Sequence, residues 1–416
     1  MDNKVVVTGL GTINPLGNSS EETWRNLLNG KSGIARIQSF DADEWGIKAK
    51  IAGEVKQFDP ETWIDRKETR RLDRFTQLAL VAAMEAVAHS RLILEGDVRY
   101  EVGTMIATGV GGVTTLVEQS GVMNDKGARR VSPFTIPMLM PNAASSTVSI
   151  KLGSWGPNFT TASACASAAD GLGVALDMIR SGRAKAMIAG GSESAIIPLC
   201  VASFDQAQAL STHYNDEPEK ASRPFDLNRD GFVIAEGAAV LVLENESFAL
   251  ARGARILAEF VGYGVAADGF HITAPEPGGR GATNAMLGVL KDARVDKSEV
   301  TYINAHGTST PLNDKVETLA IHRVFGDMAT KIPISSTKSM TGHLCGAAGA
   351  LEALVCVKTA ETNWVPPTIN YDMPDPDCNL DYVPWEAREV REGVSLSNSF
   401  GFGGHSSCLA FRRYQA

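Results

Sequence analysis

One thiol and two imidazoles stand out as groups that could do chemistry together. Cys165 sits in the run Thr160-Thr161-Ala162-Ser163-Ala164-Cys165-Ala166-Ser167-Ala168-Ala169-Asp170-Gly171, between a short β-like stretch and an Ala/Gly-rich helical pattern. A cysteine at a helix N-terminus feels the positive end of the macrodipole and nearby free N–H groups, so this placement predicts a lowered thiol pKa. Small neighbours let substrate and backbone come close. A buried structural cysteine is the competing reading of the run, because free Cys is among the most buried residue types. His306 lies where the apolar stretch Tyr302-Ile303-Asn304-Ala305 runs into the polar turn Gly307-Thr308-Ser309-Thr310, and His343 follows Ser335-Ser336-Thr337-Lys338-Ser339-Met340-Thr341-Gly342 in the same way. A single histidine of this kind is more often a satisfied loop residue. Three such groups at predicted strand ends match the place where open α/β sheets build sites, and thiol with imidazole is a pairing of nucleophilic catalysis.

The elements that must position them alternate along the chain. Val/Ile-rich patterns predict strands at Val5 to Val7, Val102 to Ile106, Ala186 to Ala189 and Val240 to Leu243, with helices at Thr76 to Ala88 and Val174 to Arg180. A second half starts near Gly253, dividing the chain into 1–252 and 253–416. It has predicted strands at Ile256 to Val261, Thr301 to Asn304, Ile332 to Ser335, Val394 to Ser397 and Cys408 to Phe411, and helices at Thr283 to Asp292, Lys315 to Phe325 and Ala347 to Glu361. The two halves echo each other. A strand end, a polar turn and an Ala/Gly-rich helix occur around Cys165 and again from Ser335 to Ala360, where Gly346-Ala347-Ala348-Gly349-Ala350 opens the helix. Such dense small residues predict helices packed against backbone, forming a central buried layer. Ordinary Ala-rich amphipathic helices are the alternative.

Composition bounds the function. With 416 residues and 44% hydrophobic content the chain can bury a large core and exceeds one average domain. No apolar run reaches membrane-spanning length; the best, Leu344 to Val357, is short and carries Glu352. The N-terminal residues do not read as a signal peptide. Six scattered cysteines form no CxxC pair and no metal-ligand spacing, so no metal is expected and a reducing cytoplasm fits. A net charge of −9 argues against nucleic acid as a partner. Gly9-Leu10-Gly11 and Gly109-Val110-Gly111-Gly112 follow strands, yet neither completes a GxGxxG fingerprint. The second pair more plausibly permits close packing, with Val110 a wall of a substrate pocket.

From Val5-Val6-Val7-Thr8-Gly9-Leu10-Gly11 to Asn398-Ser399-Phe400-Gly401-Phe402-Gly403-Gly404, including His306 to Asp314 and Lys338 to His343, the chain resembles the elongating β-ketoacyl-acyl carrier protein synthases, nearest to synthase II. The resemblance implies a five-layered αβαβα thiolase fold with two pseudo-equivalent halves, normally a homodimer. It implies an acyltransferase of the Cys-His-His type that condenses an enzyme-bound acyl group with malonyl-acyl carrier protein, with loss of CO₂, in fatty-acid elongation. No cofactor is implied, because substrates arrive on the phosphopantetheine arm of acyl carrier protein.

Within that resemblance Cys165 is the nucleophile, and His306 and His343 donate N–H bonds to the enolate that decarboxylation leaves. Lys338 stabilises negative charge, or orients the histidines through a carboxylate, with Glu352 as its partner. The amides of Cys165 and Phe402 form the oxyanion hole, and Phe402 gates the acyl pocket that Val110 helps to wall. Thr308, Thr310 and Thr273 bind the phosphopantetheine arm. Lys67, Arg70, Arg71, Arg129 and Arg130 are the carrier-protein docking residues, drawn from a basic cluster that also holds Arg66 and Arg74; an ordinary solvated face is the alternative. Another docking position, often basic in relatives, is Gln208 here. Ser163 replaces the usual threonine, His405-Ser406 follows the GFGG loop, and Ala235 and Ala239 replace glycines. These departures touch loop geometry and substrate range but remove no catalytic group. A ketosynthase of a polyketide or specialised lipid pathway, or a non-condensing partner subunit of a heterodimer, are the other readings. The second normally lacks the nucleophile that Cys165 supplies.

Overall fold

The computed structural model describes residues 4–415. Each half of the chain folds into a sheet of the same design. The first holds β1 (Val5–Ile13), β2 (Val102–Ala107), β3 (Asn158–Phe159), β4 (Ala186–Glu193) and β5 (Gly237–Asn245), in the spatial order β3-β2-β4-β5-β1. The second holds β6 (Ala258–Ala267), β7 (Val300–Asn304), β8 (Ile334–Ser335), β9 (Val394–Gly401) and β10 (His405–Arg412), in the order β8-β7-β9-β10-β6. Read in those orders, both sheets have two parallel contacts followed by two antiparallel ones. A short antiparallel seam of Val5, Val6 and Val7 with Phe260, Glu259 and Ala258 joins them.

Strands covered on both faces read as unbroken apolar runs, and β1, β2 and β4 are buried at every position. The covering helices are α1 (Arg74–Ser90) on the outside of the first sheet and α3 (Arg280–Ala293) with α4 (Pro311–Phe325) on the outside of the second. Between the sheets lie α2 (Ser167–Arg180) and α5 (Ala348–Thr362), each touching strands of both halves. Every residue of α5 from Ala348 to Ala360 is buried, and a helix apolar on all sides belongs in a core. The pair packs backbone to backbone: a Cβ on Gly349 would lie 2.8 Å from the Ala169 amide. Leu172, Leu176, Leu351 and Leu354 fill the same core, each buried side chain contributing about 1.5–3 kcal/mol.

These are the five layers that the family resemblance implies, with the central helix layer expected from the echo between the halves. The strands run longer than their Val/Ile cores, because hydrogen-bonded partners carry β1 on through Thr12 and Ile13 to Ala239 and Ala238. Helix α2 starts at Ser167 rather than Val174, since Ala168 and Ala169 are buried without showing a period. Gly9 and Gly11 lie directly beneath the Ala86 and Ala82 carbonyls of α1, a packing role rather than a phosphate site. No helix among the described residues is long and apolar enough to cross a membrane.

Candidate active site

Cys165 sits in a tight turn between β3 and α2. Ala164 is in the left-handed region at φ 51°, the Ser163 amide donates to the Ser167 hydroxyl at 2.8 Å, and that hydroxyl donates to the Ala164 carbonyl at 2.6 Å. The Ser163 hydroxyl donates to Asp170, which also accepts from Ser407 and, at 2.8 Å, from Tyr263. So the serine at position 163 keeps its hydroxyl in use, tying the Cys165 turn to β6 and β10. The GFGG loop closes over this turn. The Phe402 amide faces the Cys165 thiol and favours its anion, and a Cβ on Gly401 would lie 2.7 Å from the Ser163 carbonyl oxygen and 3.1 Å from the Cys165 nitrogen. Only glycine allows that approach.

The thiol is not acidified. Burial pushes it up to about 11, and Glu193 and Glu352 add to the rise, while Lys338 and the Phe402 amide oppose it. The expected helix-end activation fails for a physical reason: α2 begins two residues beyond Cys165, with Ala166 at its N-cap, and the thiol faces two buried carboxylates in a dry site.

The histidine half is equally dry. His306 and His343 are buried, with ring centroids 5.4 Å apart. Burial holds both imidazoles well below their usual range, and Lys338 pushes the same way. Both are therefore neutral at pH 7, each with one ring N–H to give. The Lys338 ammonium meets the His306 carbonyl at 2.7 Å, makes a long contact of 3.5 Å to His306 Nδ1, and pairs with Glu352. A cation facing Nδ1 assigns the His306 proton to Nε2, leaving that N–H to donate. Lys338 thus reaches His306 directly, not through a carboxylate. Among the described residues neither ring nitrogen of His343 has a partner, and its backbone amide donates to the Val233 carbonyl at 2.7 Å. Glu352 is pushed up to about 7 by burial, with Lys338 opposing.

A file of rings links the surface to these histidines. Phe402, 37% exposed, lies 6.5 Å from Phe204; Phe204 lies 5.3 Å from Phe232, and Phe232 lies 5.4 Å from His343. Thr308 and Thr310 share a hydroxyl–hydroxyl bond of 2.9 Å beside His306. Thr273 is exposed in a loop that the Gly403 amide joins at the Ile272 carbonyl, 2.7 Å away. Val110 stands 46% exposed in the single chain, its amide directed at Glu193.

The basic residues divide. Lys67, Arg70, Arg71, Arg129 and Arg130 are exposed, and Arg71 lies over the Phe134 ring at 4.6 Å, bringing the two distant stretches onto one face. Asp65 caps the short helix Arg66–Thr69 by accepting from the Lys67 amide at 2.8 Å. Arg74 leaves the cluster: it starts α1 and makes a bidentate pair with buried Glu236, both bonds 2.7 Å. Gln208 is exposed in a turn at φ 54°.

Two buried carboxylates went unnoticed in the sequence. Glu317 on α4 accepts the His306 and Gly307 amides at 2.8 and 2.7 Å, fixing the turn that carries the histidine, and burial pushes it up to about 7. Glu193 ends β4 beneath the Gly109 turn. An acidic residue three positions after Asp314 in a helix reads as surface, so nothing in the sequence pointed to Glu317. Among the described residues no group of His, Cys, Asp and Glu could hold a metal ion.

Comparison with known proteins shows the family. Residues 2–249 match the N-terminal domain of β-ketoacyl synthases and residues 257–372 match the C-terminal domain. The chain is 50% identical over 412 residues to the 3-oxoacyl-[acyl-carrier-protein] synthase 2 of Synechocystis, covering 99% of this chain and 98% of the relative. It is 46% identical over 413 residues to the enzyme of the same name from Staphylococcus aureus N315, covering 99% of each. Among solved structures, a β-ketoacyl synthase from Burkholderia phymatum matches with a TM-score of 0.91 at 36% identity, over 99% of this chain and 100% of that one. A ketosynthase complex with a type II polyketide acyl-carrier protein matches with a TM-score of 0.91 at 35% identity, over 100% of each chain. With both domain models matched in order and relatives aligned along nearly its whole length, the chain belongs to the β-ketoacyl synthase family.

Proposed function

We propose that this chain lengthens acyl chains in fatty-acid synthesis by a decarboxylative Claisen condensation in which Cys165 carries the growing chain. In the first half-reaction the Cys165 sulfur attacks the thioester of acyl-acyl carrier protein. The thiol proton leaves with the carrier's sulfur, so one thioester and one thiol replace another pair. The amides of Cys165 and Phe402 receive the oxyanion of the tetrahedral intermediate. In the second, malonyl-acyl carrier protein loses CO₂, and the electron pair of the broken bond passes into an enolate whose oxygen takes N–H bonds from His306 and His343. The enolate carbon then attacks the acyl thioester. Products are a β-ketoacyl-acyl carrier protein two carbons longer and the free thiol, after uptake of one proton.

The observation that carries this reading is the Phe402 amide aimed at the Cys165 sulfur, with two neutral imidazoles and a buried lysine at the inner side of the same site. Identity of 46–50% to synthase 2 enzymes, against 35% to a type II polyketide ketosynthase, favours fatty-acid elongation over a specialised pathway. Thr308, Thr310 and Thr273 hold the phosphopantetheine arm, and the reaction draws on no further cofactor. Carrier protein docks on Lys67, Arg70, Arg71, Arg129 and Arg130, supported by the solved ketosynthase complex that includes its acyl-carrier protein. The enzyme works in the cytoplasm as a homodimer. Exposed apolar residues Val110, Leu116, Ile136 and Met140 support a second copy covering that face.

The test is intact mass after mixing the protein with a ladder of acyl-acyl carrier proteins, followed by malonyl-acyl carrier protein. One acyl group on Cys165, chased into a product two carbons longer, is the expected result. Absence of any adduct overturns the reading.

A further inference from the structure

Glu193 is wholly buried, and the reaction as described gives it no part. Four donors converge on its two oxygens. The Gly109 and Gly346 amides reach Oε2 at 2.7 and 3.0 Å, and the Thr108 hydroxyl and Val110 amide reach Oε1 at 2.9 and 3.3 Å. Amides only donate. The Thr108 hydroxyl accepts the Gly111 amide at 3.0 Å, which leaves its own hydrogen for the carboxylate. A proton on Glu193 would therefore face an incoming hydrogen, so the side chain sits as an anion held by neutral donors. Burial pushes its carboxyl up, and the same donors hold it down.

The two turns it holds come from different halves of the molecule. Thr108-Gly109-Val110 follows β2, whereas Cys345-Gly346 leads into α5. They touch without side chains between them: a Cβ on Gly346 would lie 2.1 Å from the Gly109 nitrogen and 2.7 Å from Glu193 Oε2, and one on Gly109 would lie 2.7 Å from the same oxygen. Cys345 is in the left-handed region at φ 48°, uncommon for a residue with a Cβ, so this turn needs an external hold. Val110 stands on one turn. Cys345 stands on the other and packs in the apolar cluster of Val201, Phe232 and Phe204, the last beside Phe402.

We propose that Glu193 is a positioning residue for the acyl chamber, setting the separation of the Val110 wall from the Cys345 wall by anchoring both turns. The proposal rests on the reading of Val110 and Phe402 as chamber residues given above. Its consequence is specificity: loosening the two walls affects an extended chain more than a short one.

The test labels Cys165 in the full-length protein with iodoacetamide and with its N-dodecyl derivative, following the modified Cys165 peptide by mass. The ratio of the two rates cancels changes in thiolate fraction and needs no catalytic turnover. Glu193→Gln keeps the size but points an NH₂ at backbone amides. It is expected to change the long-to-short ratio about tenfold from the wild-type value, in line with the cost of small misplacements in a site. Thr108→Val removes one of the four bonds, and the same change is expected at lower magnitude. Should Glu193→Gln fail to fold, Thr108→Val decides alone. An unchanged ratio, or equal change in both rates, overturns the proposal. Wild-type protein that takes no acyl group from any carrier-protein donor would instead overturn the condensing reading, leaving the labelling result to stand.

Discussion

The half that carries the thiol and the half that carries the imidazoles use the same physics with opposite sign. Burial raises Cys165 and lowers His306 and His343, so at pH 7 all three stay uncharged. The halves differ in how each treats its buried carboxylate. Glu352 has the Lys338 ammonium, which also touches His306; Glu193 is held, among the described residues, by backbone amides and a hydroxyl. One carboxylate therefore tunes an imidazole, while the other shapes backbone. A site built this way holds its reacting groups neutral until a substrate bond changes, when fixed N–H dipoles meet the new charge without rearranging.

The largest effect that would test the comparison is at the thiol. Cys165→Ala is expected to abolish acyl-enzyme formation by intact mass, and self-acylation in that variant would remove the thiol from its role. In the wild type, alkylation of Cys165 is expected to accelerate about tenfold per pH unit from pH 7 towards 10, as the thiolate fraction does below its pKa. A rate already flat at pH 7 would mean an activated thiolate and break the symmetry of neutral groups.

On the other side, His306→Ala and His343→Ala are each expected to slow malonyl decarboxylation by about 10²–10³, the usual loss for one donor to a developing charge, and acyl transfer by much less. Equal losses in both half-reactions would erase the division between the halves.

Lys338→Met sharpens the contrast between carboxylates. Leaving Glu352 unpaired is expected to cost about 3–5 kcal/mol of stability at pH 8. The sign with pH follows from the raised carboxyl. Folded Glu352 is pushed up to about 7 from its ordinary value of 4.5, so across that window the folded state holds a proton the unfolded state has released, and stability falls as pH rises. Without Lys338 the carboxyl titrates higher still, so the variant's deficit in melting temperature should be smaller at pH 6 than at pH 8. A pH-independent deficit would show that the lysine stem, rather than its charge, matters.

The smallest effect lies outside the comparison. Replacing exposed Arg129 and Arg130 with Glu is expected to raise the KM for carrier-protein substrates roughly tenfold, more at low salt, while sparing small acyl thioesters. Equal effects on both substrates would make the patch structural.

How much of this was legible depends on whether a property is local. Cys165, His306 and His343 could be found because strand ends, turns and small residues are written in adjacent positions. So could the central helices, whose Ala/Gly density is itself the cause of their close packing. The titration of Cys165 was misread because the burial that raises it, and the carboxylates Glu193 and Glu352 that add to the rise, come from residues far away in sequence. Arg74 was counted in the basic cluster because its partner, Glu236, lies 162 positions further on. Glu193 and Glu317 carried no signal for the same reason: a buried anion is recognised by the amides that surround it, and those come from other turns.

The seam between the sheets has a consequence for how the chain is made. Of the ten strands described above β1 is made first, yet among the described residues its partners are residues 238–245 and 258–260. At about 5–20 residues per second, it waits on the order of ten seconds or more for either neighbour. Throughout that interval an apolar strand, VVVTGLGTI, exposes both edges outside or beside the ribosome. Its two partners then arrive almost together, so burial of β1 is tied to the moment the second half begins to emerge, and a chain stalled before residue 237 leaves a sticky N-terminal strand with nowhere to go.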